Sequence, residues 1–279
     1  MRLAIHCGLL LSVLTASAGP VRLTDDGRIK RDVLYWPGTT NLFYSIEIES
    51  GRMKIVQWNP RGEAPTFLHP DKNISDRELA VAADGNTYVY NSITGNKGIS
   101  SVIHLAEKNG TRKEVVESKG WSHYPAISPD GKVVLFVASS NDLKKHQVPE
   151  KKTDVLLDHA LWPTFSPDGQ KIVFASLRDA DIEIYSMDIN GSNQKRLTES
   201  RGIERHPSFS PDGSRIAFTS NRDGNFEIYV MQADGSNPRR VTNHPERDDF
   251  ATWHPNGNQL VVVSERNGET DLYLYDVPR

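Results

Sequence analysis

The tetrapeptide Ser-Pro-Asp-Gly occurs three times, at Ser128–Gly131, Ser166–Gly169 and Ser210–Gly213. A weaker copy stands at His254-Pro255-Asn256-Gly257, and two degenerate ones come earlier, Trp36-Pro37-Gly38-Thr39 and Ala82-Ala83-Asp84-Gly85. Counted on the second residue, the copies fall at 37, 83, 129, 167, 211 and 255, so the steps are 46, 46, 38, 44 and 44 residues. That is the length of one four-stranded propeller blade, a unit that must stack on neighbours to bury its apolar faces. The flanks repeat in register. Two residues before each marker stand Tyr35, Val81, Ile127, Phe165, Phe209 and Trp253, and seven after it stand Tyr44, Tyr90, Phe136, Phe174, Phe218 and Val262. Sheets packed face to face need large apolar side chains at such fixed points.

Within one repeat, short apolar strands alternate with turns rich in Gly, Asp and Asn, and no sustained 3.6-residue periodicity predicts a helix. The final repeat ends at Arg279 without its outer strand. That strand is found at the other end: Pro20-Val21-Arg22-Leu23-Thr24 matches Gln194-Lys195-Arg196-Leu197-Thr198 and Pro238-Arg239-Arg240-Val241-Thr242. The expectation is an all-β, six-bladed β-propeller of four-stranded antiparallel blades over residues 19–279, closed by the N-terminal strand completing the last blade. The short third repeat is expected to replace its third strand with an irregular segment, Asn141 to Lys152. Arg178 with Glu183, Arg222 with Glu227 and Arg266 with Asp271 are expected to pair across the second turn.

Residues 1–18 have a basic start, a short apolar stretch and an Ala-x-Ala end, which predicts a secretory signal cleaved after Ala18. The sole cysteine, Cys7, lies inside it, so the mature chain is expected to hold no disulfide or cysteine-based metal site. The formal charge of −3 offers no overall attraction to nucleic acid or an anionic membrane, and a mean hydropathy of −0.52 excludes a multi-span membrane protein. A periplasmic or secreted monomer is expected, at most peripheral to a membrane.

The pattern Pro-x-Phe-Ser-Pro-Asp-Gly-x-x-Ile-x-Phe-x-Ser-x-Arg-Asp-x-x-x-Glu-Ile-Tyr, from Pro163 to Tyr185 and again from Pro207, resembles the propeller repeats of the TolB family. The resemblance is strong from about Tyr124 to the C-terminus and in register from Lys30 to Gly120. It implies an exported six-bladed propeller. In that family the propeller follows a mixed α/β domain and binds an envelope lipoprotein. Because the closing strand follows the leader directly, this chain is expected to lack that α/β domain.

Alternation of strands and turns puts the second-turn loops and the blade-to-blade connectors on one face. Rigid frames carry their binding residues on such variable loops. The residues just ahead of each inner strand line up: Arg31 and Asp32, Arg77 and Glu78, His123 and Tyr124, then His159, Leu161 and Trp162, then Glu204, Arg205 and His206, and last Asp248, Asp249 and Phe250. Arginine recognises carboxylates through paired donors and aromatics supply rigid contact area. Arg31, Asp32, Arg77, Glu78, His123, Tyr124, Trp162, Arg205, His206 and Asp249 are therefore the expected contact residues. The ligand is expected to be an envelope protein or lipoprotein, a peptide or an anionic glycan, with no nucleic acid and no cofactor. No Gly-x-Ser-x-Gly, His-Glu-x-x-His or phosphate-binding loop is present. The alternative is a metal-dependent lyase or hydrolase acting on sugars. His123, His159 and His206 would then be the candidates for a divalent ion.

Overall fold

Each Ser-Pro-Asp-Gly turn is held by its own side chains. Ser128 Oγ donates to Asp130 Oδ1 at 2.6 Å and accepts from the Val133 N–H at 2.9 Å, while Gly131, at φ 72°, donates its N–H to the Ser128 carbonyl. The turns at Ser166 and Ser210 repeat these bonds. Only glycine takes a left-handed φ without a steric cost, which explains the fixed last position. Two serine hydroxyls and a backbone N–H pull the Asp212 carboxyl down to about 2.

The computed structural model describes residues 19–278 other than 63, 72–74, 95–99, 109–110 and 118–119, so the expected leader with Cys7 lies outside the described residues. Among the described residues there are 24 strands in six four-stranded antiparallel sheets. Blade one is β2 Lys30–Tyr35, β3 Leu42–Glu49, β4 Arg52–Trp58 and β5 Thr66–Phe67. Blade two is β6 Ser75–Val81, β7 Thr87–Thr94, β8 Ser100–Glu107 and β9 Arg112–Glu117. Blade three is β10 Ser122–Ile127, β11 Val133–Ala138, β12 Leu143–Gln147 and β13 Lys152–Leu157. Blade four is β14 Ala160–Phe165, β15 Lys171–Ser176, β16 Glu183–Asp188 and β17 Lys195–Arg196. Blade five is β18 Glu204–Phe209, β19 Arg215–Ser220, β20 Glu227–Gln232 and β21 Arg239–Arg240. Blade six is β22 Asp248–Trp253, β23 Gln259–Arg266 and β24 Glu269–Asp276, with β1 Val21–Arg22 as its outer strand.

The apolar core is six clusters, one between each pair of adjacent blades. Both faces of a blade must be covered, so the second strand reads as a continuous apolar run. In β15, Ile172 and Phe174 face blade three while Val173 and Ala175 face blade five. The column seven residues after the marker contributes one member to each interface, and Tyr44, Tyr90, Phe136, Phe174, Phe218 and Val262 are all buried.

Two local expectations fail. Blade three keeps a regular third strand, β12, whose five residues pair with both neighbours. The repeat is shortened largely in its turns: residues 139–142 join β11 to β12, where 177–182 join β15 to β16. The three charge pairs across the second turn do not form either. Glu183, Glu227 and Asp271 take Arg196, Arg240 and Arg22 from the outer strands. Arg222 and Arg266 reach back to Glu204 and Asp248 at the head of the innermost strand. Arg178, whose blade has Ala160 there, bonds Ser176 and Gln194 and stacks over Tyr185. The reason is burial. Each acid is fully or almost fully buried, and its hydrogen bonds come from the groups the sheet packs beside it rather than from the arginine across the turn.

The seam uses the same clamp as intact blades. In blades four and five an Arg-x-Thr segment binds the acid opening the third strand: Arg196 and Thr198 hold Glu183, and Arg240 and Thr242 hold Glu227. At the seam Arg22 and Thr24 hold Asp271, at 2.5 and 2.7 Å, and Thr24 Oγ1 accepts the Leu272 N–H. Val21 pairs with Leu274 and Arg22 with Tyr273. Buried Lys30 of blade one adds a bond to Asp271 at 3.1 Å. Burial opposes ionisation of Asp271, but the bonds from Thr24, Arg22 and Lys30 outweigh it and hold the carboxyl below its ordinary range.

Asp271→Ala is expected to destabilise the protein by about 1–3 kcal/mol in urea unfolding, because Arg22, Thr24 and buried Lys30 each lose an acceptor, while Lys30 retains Asp26 and the Arg28 and Thr270 carbonyls. Gly235 sits at φ 90° with the Leu197 carbonyl oxygen 2.7 Å from where a Cβ would lie, whereas Gly257, at φ 71°, has open space there. Gly257→Ala should therefore cost only the backbone penalty of about 1–2 kcal/mol. Gly235→Ala should cost more, in the same measurement.

Candidate functional site

The innermost strand of every blade breaks register at one place. The breaks fall between Arg31 and Leu34, Arg77 and Ala80, His123 and Ala126, Leu161 and Thr164, Arg205 and Ser208, and Asp249 and Thr252. Inside each break one non-glycine residue is left-handed: Asp32, Glu78, Tyr124, Trp162, His206 and Phe250, with φ between 50° and 56°. Each lies five residues before its blade marker. A bulge re-aims a side chain, and left-handed non-glycine residues persist only where surrounding structure imposes them. Here the imposing structure is the sheet ladder on either side of each break.

The ten residues expected to make contact all line one cavity of about 230 Å³, with Arg247 and Phe250 completing its wall. A second cavity, about 320 Å³, continues down the axis between apolar walls such as Val33, Leu79 and Ala126. The two share Asp32, Glu78, Tyr124, Trp162, His206 and Phe250. These six form a waist between a charged mouth and an apolar shaft. The cavity at the far end of the shaft is lined by apolar and neutral side chains only.

The waist divides into two arcs. Four rings follow one another through blades three to six: Tyr124 to Trp162 at 5.3 Å, Trp162 to His206 at 4.6 Å and His206 to Phe250 at 4.2 Å between centroids. Blades one and two contribute the carboxylates. Glu78 accepts from Asn91 Nδ2 and the Tyr124 N–H, both at 2.9 Å, with His123 and Arg77 each at 3.6 Å. Burial pushes the Glu78 carboxyl up, but these partners outweigh it and leave it lowered. Asp32 has no ion-pair contact among the described residues. Burial and the charge on Glu78 push it up to about 7, outweighing Arg77, Ser45 and Arg31. Across the ring, buried Asp249 binds Arg205 at 2.5 Å, His206 at 2.7 Å and Thr219 at 2.9 Å, and these partners hold it well below the usual carboxylate range against the opposing effect of burial. Arg205 also stacks over Phe226 at 3.7 Å.

His159 is not part of this site. It is exposed on the two-residue link into β14, where its carbonyl accepts from Ser176 Oγ and the Leu177 N–H. The three histidines are thus not assembled, and no group of three His, Cys, Asp or Glu side chains suited to a metal occurs among the described residues. Sequence reasoning left out Arg247, which stands just before the Asp248–Phe250 segment; counting back the same number of residues in every blade would have included it.

Asp32→Asn tests the charge of the waist. An acid with a raised folded-state value binds its proton at higher pH when folded than when unfolded, so its contribution to stability falls as pH rises from about 4 to about 7. The variant should therefore gain on the parent across that window, by about 1 kcal/mol or more at pH 8 relative to pH 4 in urea unfolding.

Residues 150–278 match the family model described as the TolB beta propeller domain. An uncharacterised protein of Agrobacterium fabrum is 37% identical over 172 residues, a match covering 57% of this chain and 57% of that relative, so the chain spans just over half the relative's length. Among solved structures, a putative TolB from Agrobacterium tumefaciens superposes with a TM-score of 0.69 at 18% identity over 90% of this chain and 91% of that one. TolB from Acinetobacter baumannii gives 0.65 at 22% identity, over 90% of this chain and 64% of that one. An oligogalacturonate lyase in complex with manganese gives 0.64 at 16% identity, over 92% of this chain and 79% of that one. At these identities the solved structures speak for the fold alone, and they include both TolB proteins and a lyase. The chain is thus a closed six-bladed β-propeller whose C-terminal repeats, residues 150–278, are similar to those of the TolB beta propeller domain.

Proposed function

We propose that this chain is an exported, non-catalytic binding module that takes an envelope protein, a peptide or an anionic saccharide at the charged mouth of its channel. One observation carries the proposal. Arg31, Arg77, Arg205 and Arg247, with His123, surround a single cavity, while the opposite end of the channel has no charged lining. The exposed Arg31 side chain makes no hydrogen bond or ion pair among the described residues, so its guanidinium is available to a carboxylate. The TolB likeness and the leader expected at residues 1–18 support the exported setting.

A metal-dependent lyase or hydrolase would need nitrogen and oxygen ligands converging on one ion. The three candidate histidines do not converge on one point: His123 and His206 line the cavity, and His159 lies outside it. A stoichiometric divalent ion retained by the purified protein would favour that alternative.

The test is capture from envelope extract on immobilised protein, comparing the parent with Arg31→Glu combined with Arg77→Ala. The double variant should lose most of the captured component, about tenfold by quantitative mass spectrometry, and Arg31→Glu alone, at an exposed side chain, should also reduce capture with thermal unfolding little changed. Capture by the parent should fall as salt rises. A double variant that captures as well as the parent sinks the proposal.

A further inference from the structure

Arg31 and Asp32 are consecutive, yet they serve different layers of the channel. Arg31 belongs to the mouth alone, whereas Asp32, turned by its left-handed backbone, borders both the mouth and the shaft. Glu78 and Asp249 each have arginine and histidine partners. Asp32 is the waist carboxylate without an ion-pair partner among the described residues, and Arg31 is the mouth cation without one. The site thus offers a carboxyl at depth that no ion pair occupies and an exposed guanidinium above it.

Facing Asp32 and Glu78 across the waist is the arc of Tyr124, Trp162, His206 and Phe250. Aromatic rings attract cations through their negative faces, most strongly where water is excluded. Tyr124 stays neutral, since burial and the two acids raise its phenol. The positive groups near Asp32 are Arg31 and Arg77, and His206 keeps its Nδ1 on Asp249. An anionic group at the waist would meet Asp32 and Glu78 directly. A cationic group would meet them opposite aromatic rings, with apolar room below for whatever it carries.

Resting on the mouth reading above, we infer that the waist takes a primary ammonium group while the mouth holds carboxylates of the same ligand: the ligand is an acidic peptide that leads with a positive charge. That charge has two sources, the amino end of a chain or a lysine side chain. A peptide satisfies the pattern because charge of both signs can alternate along one extended segment. A polyanionic saccharide lacks the leading cation.

The experiment uses the full chain and three pentapeptides: Ala-Ala-Asp-Glu-Ala with a free amino end, the same peptide N-acetylated, and the N-acetylated form with lysine replacing the first alanine. Binding is read by calorimetry and by the tryptophan fluorescence that Trp162→Phe removes. At least one amine-bearing peptide should bind about tenfold or more tighter than the amine-free one, and Asp32→Asn should abolish that preference. Preference for the free amino end assigns the chain terminus, and preference for the lysine form assigns the side chain. Asp32→Asn is expected to fold at least as stably as the parent, so a loss there is not unfolding. Equal binding of all three peptides, a preference that survives Asp32→Asn, or no peptide binding at millimolar concentration overturns the inference. Tighter binding of an amine-free oligogalacturonate overturns it too, and if Arg31→Glu abolishes that binding, the mouth reading stands without the ammonium.

Discussion

Everything in this molecule depends on closing a ring with a strand drawn from the far end of the chain. A blade covers its two faces only by lying between two others, so an open series leaves two apolar faces bare. Closure here rests on Asp271, which gathers Arg22, Thr24 and Lys30 around one buried carboxylate. The same acid-to-Arg-x-Thr arrangement operates in blades four and five, where no distant join is involved. The seam therefore needs no special device. It reuses an ordinary blade edge, with the covalent link placed elsewhere.

Closure also fixes the axis, and the axis creates the site. Six inner strands converge on a line, and each carries the same register break. The backbone determines where a side chain will stand, and the sequence decides only which one stands there. That separation explains how acids, rings and an imidazole occupy equivalent positions without disturbing the sheets. It also explains why likeness in fold does not carry likeness in chemistry among propellers of this kind.

Much of this was legible in the repeat. The marker spacing counts the blades, and the match of Val21–Thr24 with Lys195–Thr198 places the closing strand. Aligning the residues ahead of each marker collects the side chains of one cavity. What could not be read was pairing. Arg222 and Glu227 look like partners because five residues and one turn separate them, but hydrogen bonding in a buried layer follows the sheet, and Arg240 and Glu204 are the neighbours that the sheet supplies. Blade three misled for a related reason. Its strand Leu143–Gln147 is rich in polar residues, and pairing with two flanking strands makes it regular despite that composition. His159 misled because its column does not settle its direction: Arg247 stands equally three residues ahead of its bulge and lines the cavity, whereas His159 is exposed on the link between blades.

The channel has unlike ends, charged at one and neutral at the other. A passage of that kind has a direction. A guest entering from the arginine side sheds its hydration gradually, first against fixed charges, then between rings, then along hydrocarbon, while a guest approaching from the opposite opening meets no such staircase. The order of that lining, charge then ring then hydrocarbon, is a property of depth along the axis rather than of exposed area.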